Sequence, residues 1–144
     1  MKIKVIFDGS GSMAEKKSEI FNLFFIFGNL KNEYNLDIDL YIWGKETFRF
    51  HEPKDLKFCS ELSTESLFSI IENNDYKVLI ITDGCFSSKI INAIKNSSLK
   101  EKFEYLLLGE DSNKQIIKKL SSKEIYRFED VFTCINEFSR GAFQ

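Results

Sequence analysis

Three oxygen-bearing side chains stand two residues apart, directly after an apolar run near the start of the sequence. Asp8, Ser10 and Ser12 follow Val5-Ile6-Phe7, and a glycine separates each from the next. Glycine lets the backbone turn tightly, so the three side chains can converge on one point. Carboxylate and hydroxyl oxygens are ligands of hard cations such as Mg²⁺. The stretch therefore predicts a cation site where a strand turns into a helix.

A second acid stands at the end of another apolar run, farther along the chain. Residues 78–82 are almost wholly apolar and lead into Asp83 and Gly84, much as the first run leads into Asp8 and a glycine. Both runs are typical of central strands that are covered on both faces. If these strands are parallel neighbours, their acids lie at the same rim of the sheet. We therefore expect Asp8 and Asp83 to belong to one site.

Strands alternate with helices along the rest of the chain. Apolar residues spaced by three and four predict a helix over residues 13–32, and hydroxyl caps predict later helices beginning near Ser63 or Thr64 and near Ser87. The predicted strands occupy residues 3–7, 36–43, 47–51, 78–82, 105–108 and 125–128. The second and third form a hairpin with an antiparallel edge strand. This order predicts a three-layer, Rossmann-like open α/β sheet, mostly parallel, with helices on both faces.

Two segments carry apolar residues whose exposure the pattern alone leaves open. The strand over residues 36–43 alternates in polarity, which predicts one face toward the core and one toward solvent. The side predicted to face solvent carries Asp37, Asp39, Tyr41 and Trp43. In the helix over residues 13–32, Phe25 projects away from the main apolar stripe. Either a neighbouring element covers Phe25 or it belongs to a docking surface.

Composition limits the class of protein. With 144 residues, of which 43% are hydrophobic, the chain fits one domain over residues 1–144. A net charge of −2 removes the broad electrostatic reason to expect nucleic acid or an anionic membrane as a partner. Three cysteines without CxxC spacing argue against a disulfide framework, and no signal peptide or membrane-spanning run is evident. We therefore expect a cytoplasmic protein.

Taken together, these motifs resemble those of a known family. Asp8-Gly9-Ser10-Gly11-Ser12-Met13 after the first strand, Thr64 at a helix start and Thr82-Asp83-Gly84 after a later strand look like the von Willebrand factor A domain with its metal-ion-dependent adhesion site. The order of elements, including the hairpin, matches this family over nearly the whole chain. The resemblance implies a metal-dependent module for protein–protein interaction and no catalysis.

The resemblance also implies a role for each matching residue. Ser10 and Ser12 would ligate Mg²⁺ or Mn²⁺ directly, Asp8 and Asp83 would bind it directly or through water, and Thr64 would ligate it in the partner-bound arrangement. One coordination position would remain open for an acidic side chain of a partner protein. Intracellular members of the family often work beside AAA+ ATPases, so such a partner is what the resemblance implies.

Other interpretations remain open at the level of sequence. The first motif could be a turn that caps a helix with Ser12 as N-cap, and Thr64 could be a simple N-cap with Ser63 or Ser66 as substitutes. The chain could be a metal-independent scaffold that docks through apolar helix surfaces. An acid after a strand also opens phosphatases of the haloacid dehalogenase type, but these need a second Asp where this chain has Ser10. P-loop and dinucleotide-binding motifs are lacking in the sequence.

Overall fold

A computed structural model describes residues 2–109, 113–121 and 123–138. Within these ranges six strands form one sheet. In chain order they are β1 (Lys2–Asp8), β2 (Ile38–Trp43), β3 (Thr47–Arg49), β4 (Asp75–Thr82), β5 (Phe103–Leu107) and β6 (Ile125–Arg127). Their spatial order is β3-β2-β1-β4-β5-β6. All pairs are parallel except β2 with the edge strand β3. The predicted sheet, including its antiparallel edge, is confirmed.

Five α-helices in the described residues cover the two faces of the sheet. They are α1 (Lys17–Tyr34), α2 (Thr64–Ser69), α3 (Ser88–Lys95), α4 (Lys114–Lys118) and α5 (Val131–Phe138). Apolar residues of α1 and α5 pack on one face, against Val5 and Leu79 among others. Those of α2, α3 and α4 pack on the other, against Ile6 and Ile80. Successive strand residues point to opposite faces, so β1 and β4 contribute to both cores and the three-layer architecture is confirmed. No helix in these ranges combines the length and the apolar character needed to cross a membrane.

The prediction that β2 is exposed on one face is wrong. Asp39, Tyr41 and Trp43 are all buried. Trp43 contacts the ring of Phe86 and donates a hydrogen bond from Nε1 to the Ser63 carbonyl, because the segment that leads into α2 passes over this face. Tyr41 and Trp43 therefore belong to the second core. Asp39 is buried by its ion pairs with Lys2, Lys31 and Arg49.

The first helix also begins later than predicted. A 3-10 helix over Gly11–Lys16 precedes α1, and Met13 in it is fully buried. Ser10 occupies the N-cap position of this turn, but its side chain makes no capping hydrogen bond. The alternative in which Ser12 caps the helix is therefore wrong, and the Ser10 and Ser12 hydroxyls are not used by the helix start.

Candidate metal centre

The two predicted acids lie at the same rim of the sheet. Asp8 ends β1 and Asp83 directly follows β4, and the two strands are parallel neighbours with Phe7 opposite Ile81. Thr82 joins the two strand ends by donating a hydrogen bond from Oγ1 to Asp8 Oδ2 over 2.6 Å. Both carboxylates are buried, with 1% and 3% of their residues' surface exposed. Parallel pairing thus brings together two acids that are far apart in sequence.

The serine hydroxyls of the first motif converge beside Asp8. The Ser10 amide donates to Asp8 Oδ1 over 2.8 Å, which fixes the turn immediately after the strand. The Oγ atoms of Ser10 and Ser12 are 3.2 Å apart. Ser12 is exposed and Ser10 is half-buried, so this pair of oxygens forms the outer side of the cluster.

Gly9 lets the turn pass close to the neighbouring strand. Its amide donates to the Trp43 carbonyl over 2.8 Å, and its carbonyl accepts from the Cys59 amide over 2.8 Å. A Cβ at this position would lie 2.7 Å from the Trp43 carbonyl oxygen, a distance that side chains do not tolerate. Gly9 is therefore required by close packing of backbone on backbone.

Replacing Gly9 by alanine is expected to lower the free energy of unfolding by at least about 1 kcal/mol, since the turn and β2 must separate to relieve the contact. Gly11 supplies a matched control, because a Cβ there would make only an ordinary contact of 3.9 Å with the Cys59 carbonyl oxygen. Urea unfolding of both variants measures the difference. Equal stability of the two alanine variants would show that Gly9 is not held against Trp43.

A second tight turn, at Gly84, holds the Asp83 side of the site. Gly84 has φ of 79°, and a Cβ there would lie 2.8 Å from the Asn113 carbonyl oxygen, so only glycine fits. The Cys85 amide donates to Asp83 Oδ1 over 3.0 Å, and the Asn113 amide donates to the Asp83 carbonyl over 2.9 Å. These bonds orient the carboxylate and leave Oδ2 without a hydrogen bond from the described residues.

Burial and, to a smaller extent, the negative charge of Asp83 raise the pKa of Asp8 to about 6, although the hydrogen bonds from Thr82 and Ser10 act in the opposite direction. No lysine or arginine in the described ranges forms an ion pair with either carboxylate. Two buried acids that lack a protein cation are costly when both are ionised. A bound cation would remove this cost.

The donors that surround the two acids fit a hard cation. They are carboxylate and hydroxyl oxygens, the ligands that Mg²⁺ and Mn²⁺ prefer. No group of three or more His, Cys, Asp or Glu side chains in the described part of the chain could hold a metal ion, which leaves a mixed carboxylate and hydroxyl set as the candidate. Asp8, Asp83, Ser10 and Ser12 therefore form the candidate metal centre.

Thr64 lines a different cleft from the one that Ser10 lines. It is the first residue of α2, and Ser63, not Thr64, is the N-cap, accepting from the Ser66 amide. The cleft lined by Thr64 has a volume of about 390 Å³ and also contains Lys45. Ser10 lines a neighbouring cleft of about 280 Å³. The two clefts share Glu61 and Leu62 of the loop and Lys89 and Ile90 of α3.

Sequence reasoning missed the loop residues that share a cleft with Ser10. Cys59 forms a β-bridge with Ser10, and the next two residues, Ser60 and Glu61, line the same cleft as Ser10. Their hydroxyl and carboxylate are oxygen donors of the required kind. This loop has no regular periodicity, and nothing in its sequence indicated that a bridge would hold it beside the first motif.

Comparison with solved structures finds this fold in other proteins. BatB, a conserved hypothetical protein from Bacteroides thetaiotaomicron, has a TM-score of 0.60 and 13% identity over 97% of this chain and 99% of its own. An aerotolerance-related membrane protein from Bacteroides fragilis has a TM-score of 0.56 and 12% identity, covering 95% of this chain and 97% of its own. Neither a protein-family model nor a curated protein sequence matched the chain.

A further similar structure is that of proximal thread matrix protein 1 from the mussel byssus, in which zinc occupies the metal-ion-dependent adhesion site (MIDAS) motif. Its TM-score is 0.54 with 12% identity, and the match covers 98% of this chain and 45% of that protein. At these identities the similarity concerns the arrangement of strands and helices. The chain has the fold of a von Willebrand factor A domain.

Proposed function

We propose that this protein is a metal-dependent module for protein–protein interaction. It binds Mg²⁺ or Mn²⁺ through Asp8, Ser10, Ser12 and Asp83, with Thr64 or a residue of the adjoining loop as a further ligand. An acidic side chain of a partner protein completes the coordination. The partner is a component of a larger assembly, of which an AAA+ ATPase is one example, and the module itself catalyses no reaction.

One observation carries this proposal. Two buried carboxylates meet at the ends of neighbouring strands, no described lysine or arginine pairs with them, and two hydroxyls unused by the helix start lie beside them. A structural role in the fold would be better served by apolar or amide side chains, because burying two adjacent acids destabilises the folded chain. The zinc-occupied motif of the mussel protein on the same fold adds support.

The charge of the ligands explains why a partner's acid would bind. Asp8 and Asp83 supply two negative charges and Ser10 and Ser12 supply none, so the loaded site has no net negative charge that would repel a further carboxylate. Mg²⁺ requires about six oxygen ligands in an octahedron, so the protein ligands leave room for one more. A carboxylate that enters through the cleft beside Ser10 would be attracted to the ion at close range.

Mn²⁺ binding, measured by electron paramagnetic resonance or calorimetry, tests the proposed site. Ser12→Ala is expected to weaken Mn²⁺ binding by about tenfold or more, the effect of losing one ligand to a charged group. Ser12 is exposed and its described hydrogen bond is to Ser10, so the fold should be unaffected. Ser18→Ala, an exposed serine at the start of α1, is the matched control and should bind Mn²⁺ as the wild type does.

Equal Mn²⁺ affinity in Ser12→Ala and Ser18→Ala would contradict the assignment of the first motif as a ligand set. The same assay separates the two candidates for the further ligand. Thr64→Val should weaken binding if Thr64 ligates the ion, whereas Ser60→Ala should do so if the loop bridged to Ser10 supplies the hydroxyl. Addition of acetate to the loaded protein reports whether a carboxylate enters the remaining position.

A second candidate function rests on the exposed surface of α1. Phe25 is 54% exposed and contacts the ring of Phe24, so no described element covers it. A scaffold that docks through this surface would need no metal. Phe25→Ser should then abolish partner capture while Asp83→Ala leaves capture intact, and the metal-dependent function predicts the reverse pattern.

A further inference from the structure

We propose that a pocket between α1 and the β2–β3 hairpin binds a small organic anion with an apolar body. The pocket has a volume of about 190 Å³. Asp39 lines this pocket, and in the register of the sheet it lies opposite Lys4 of β1. Because Lys4 is four residues before Asp8, the pocket lies on the order of 13 Å from the candidate metal centre, measured along the strands. The proposal is independent of the metal centre.

Cations outnumber the acid at this pocket. Asp39 is buried, and Arg49 Nη1 lies 2.9 Å and Lys31 Nζ 3.6 Å from its Oδ1. Lys2 Nζ lies 3.2 Å from Oδ2 of the same carboxylate. The Asp39 carboxylate balances one of these three charges, and the negative charges of Asp37 and Glu72 act on Lys2. Arg49 and Lys31 together therefore keep a net positive charge at the pocket. Both side chains are about half exposed, at 46% and 49%, and can therefore reach a ligand.

Aromatic rings form the apolar part of the lining. Phe24 and Phe50 stack with their ring centroids 4.4 Å apart, and Phe27 lines the pocket beside them. Phosphate or chloride has no apolar surface, so contact with these rings would add no favourable binding free energy. An anion that carries a ring or a short aliphatic group would bury apolar surface against them while its charge meets Arg49 and Lys31.

Gly28 keeps the floor of the pocket open. It lies inside α1, where glycine is among the least favourable residues for helix stability. Packing does not require it, because a Cβ at this position would have no neighbouring heavy atom within 4 Å. Any larger side chain would project into the pocket that Gly28 lines. The pocket volume is about six times the volume that one water molecule occupies in liquid water, which suits a ligand with a single ring and one anionic group.

Nuclear magnetic resonance titration with benzoate tests this proposal, and benzamide serves as the uncharged probe of equal shape. Benzoate should shift the amide signals of the pocket residues in a saturable manner and benzamide should not. Gly28→Leu should weaken benzoate binding by about tenfold or more, because the side chain occupies the ligand's place. Asn29→Leu, at the exposed neighbouring position, is the matched control and should bind benzoate as the wild type does.

Arg49→Gln adds a test of the charge, since it should also weaken benzoate binding by about tenfold, the effect of losing one charge-assisted hydrogen bond. Gly28→Ala should raise the melting temperature, which shows that folding alone does not favour glycine there. The proposal is overturned if benzoate causes no saturable shifts, if benzamide matches it, or if Gly28→Leu binds benzoate as tightly as Asn29→Leu. Mn²⁺ binding should be unchanged in all these variants.

Discussion

Asp8→Asn is expected to stabilise the metal-free protein near neutral pH and to abolish its stabilisation by Mg²⁺. The Asp8 carboxylate is buried beside Asp83, and this raises its pKa from 3.8 to about 6. An amide of the same shape avoids the cost of a buried charge and still accepts the hydrogen bond from the Ser10 amide. It cannot supply the negative charge that the ion requires.

The pH dependence of stability follows from the raised pKa. Between pH 3.8 and 6 the folded chain binds more protons at Asp8 than the unfolded chain does, so the stability that this group contributes is present below 3.8 and lost as the pH rises through 6. A shift of this size corresponds to about 3 kcal/mol. Asparagine cannot accept the hydrogen bond from Thr82 as well as a carboxylate does, so we expect a net gain of about 1–2 kcal/mol in the variant.

Thermal and urea unfolding at about pH 5 and about pH 8, with and without Mg²⁺, measures both effects. In the wild type, Mg²⁺ should raise the stability more at the higher pH, where Asp8 is ionised in the folded chain. Asp37→Asn changes an exposed acid and should leave the Mg²⁺ effect intact. An Asp8→Asn variant that is less stable than the wild type at the higher pH without metal would contradict the assigned cost of burying this charge.

Lys4→Met is expected to cost about 3–5 kcal/mol of unfolding free energy, because it leaves the buried Asp75 carboxylate without a cation. Lys4 and Asp75 form an ion pair of 2.8 Å with side chains only 3% and 0% exposed. Lys4 also donates to the Ile70 carbonyl, and the Glu72 amide donates to Asp75 over 2.7 Å. The pair lies at the amino ends of β1 and β4, opposite the candidate metal centre.

A double-mutant cycle isolates the interaction. Asp75→Asn in the Lys4→Met background should recover part of the loss, since the uncompensated charge is then removed. The exposed pair of Lys54 and Glu52 provides the matched control, and Lys54→Met should change stability by no more than about 0.5 kcal/mol. If Lys4→Met costs no more than Lys54→Met in urea unfolding, then the buried pair does not hold these strand ends together.

The sequence predicted the parts of this structure that depend on regular periodicity. Two apolar runs that end in Asp8 and Asp83 imply parallel central strands and a shared rim, and the sheet has that arrangement. Hydroxyl residues before apolar helices predicted N-caps at Ser63 or Thr64 and at Ser87-Ser88, and in the structure Ser63 and Ser87 accept a hydrogen bond from the first turn of their helix. These features depend on local chemistry and on the general rules of open α/β sheets.

The features that sequence could not give depend on contacts between distant segments. Burial of Trp43 follows from the segment before α2, which passes over this face of β2 and which alternation in polarity cannot reveal. The bridge from Cys59 to Ser10 brings Ser60 and Glu61 into the same cleft as Ser10, and the sequence motif did not indicate them. Lys4 interrupts an apolar strand because its partner, Asp75, lies on another strand.

The most direct test of the metal-dependent function is a crystal soaked in Mn²⁺ and measured at an X-ray energy where manganese scatters anomalously. We predict an anomalous peak at the carboxyl ends of β1 and β4, within coordination distance of the Ser10 and Ser12 hydroxyls and on the same side as Asp8 and Asp83. A crystal with no peak at this rim under saturating Mn²⁺, or with a peak only elsewhere, would contradict a metal-dependent mechanism.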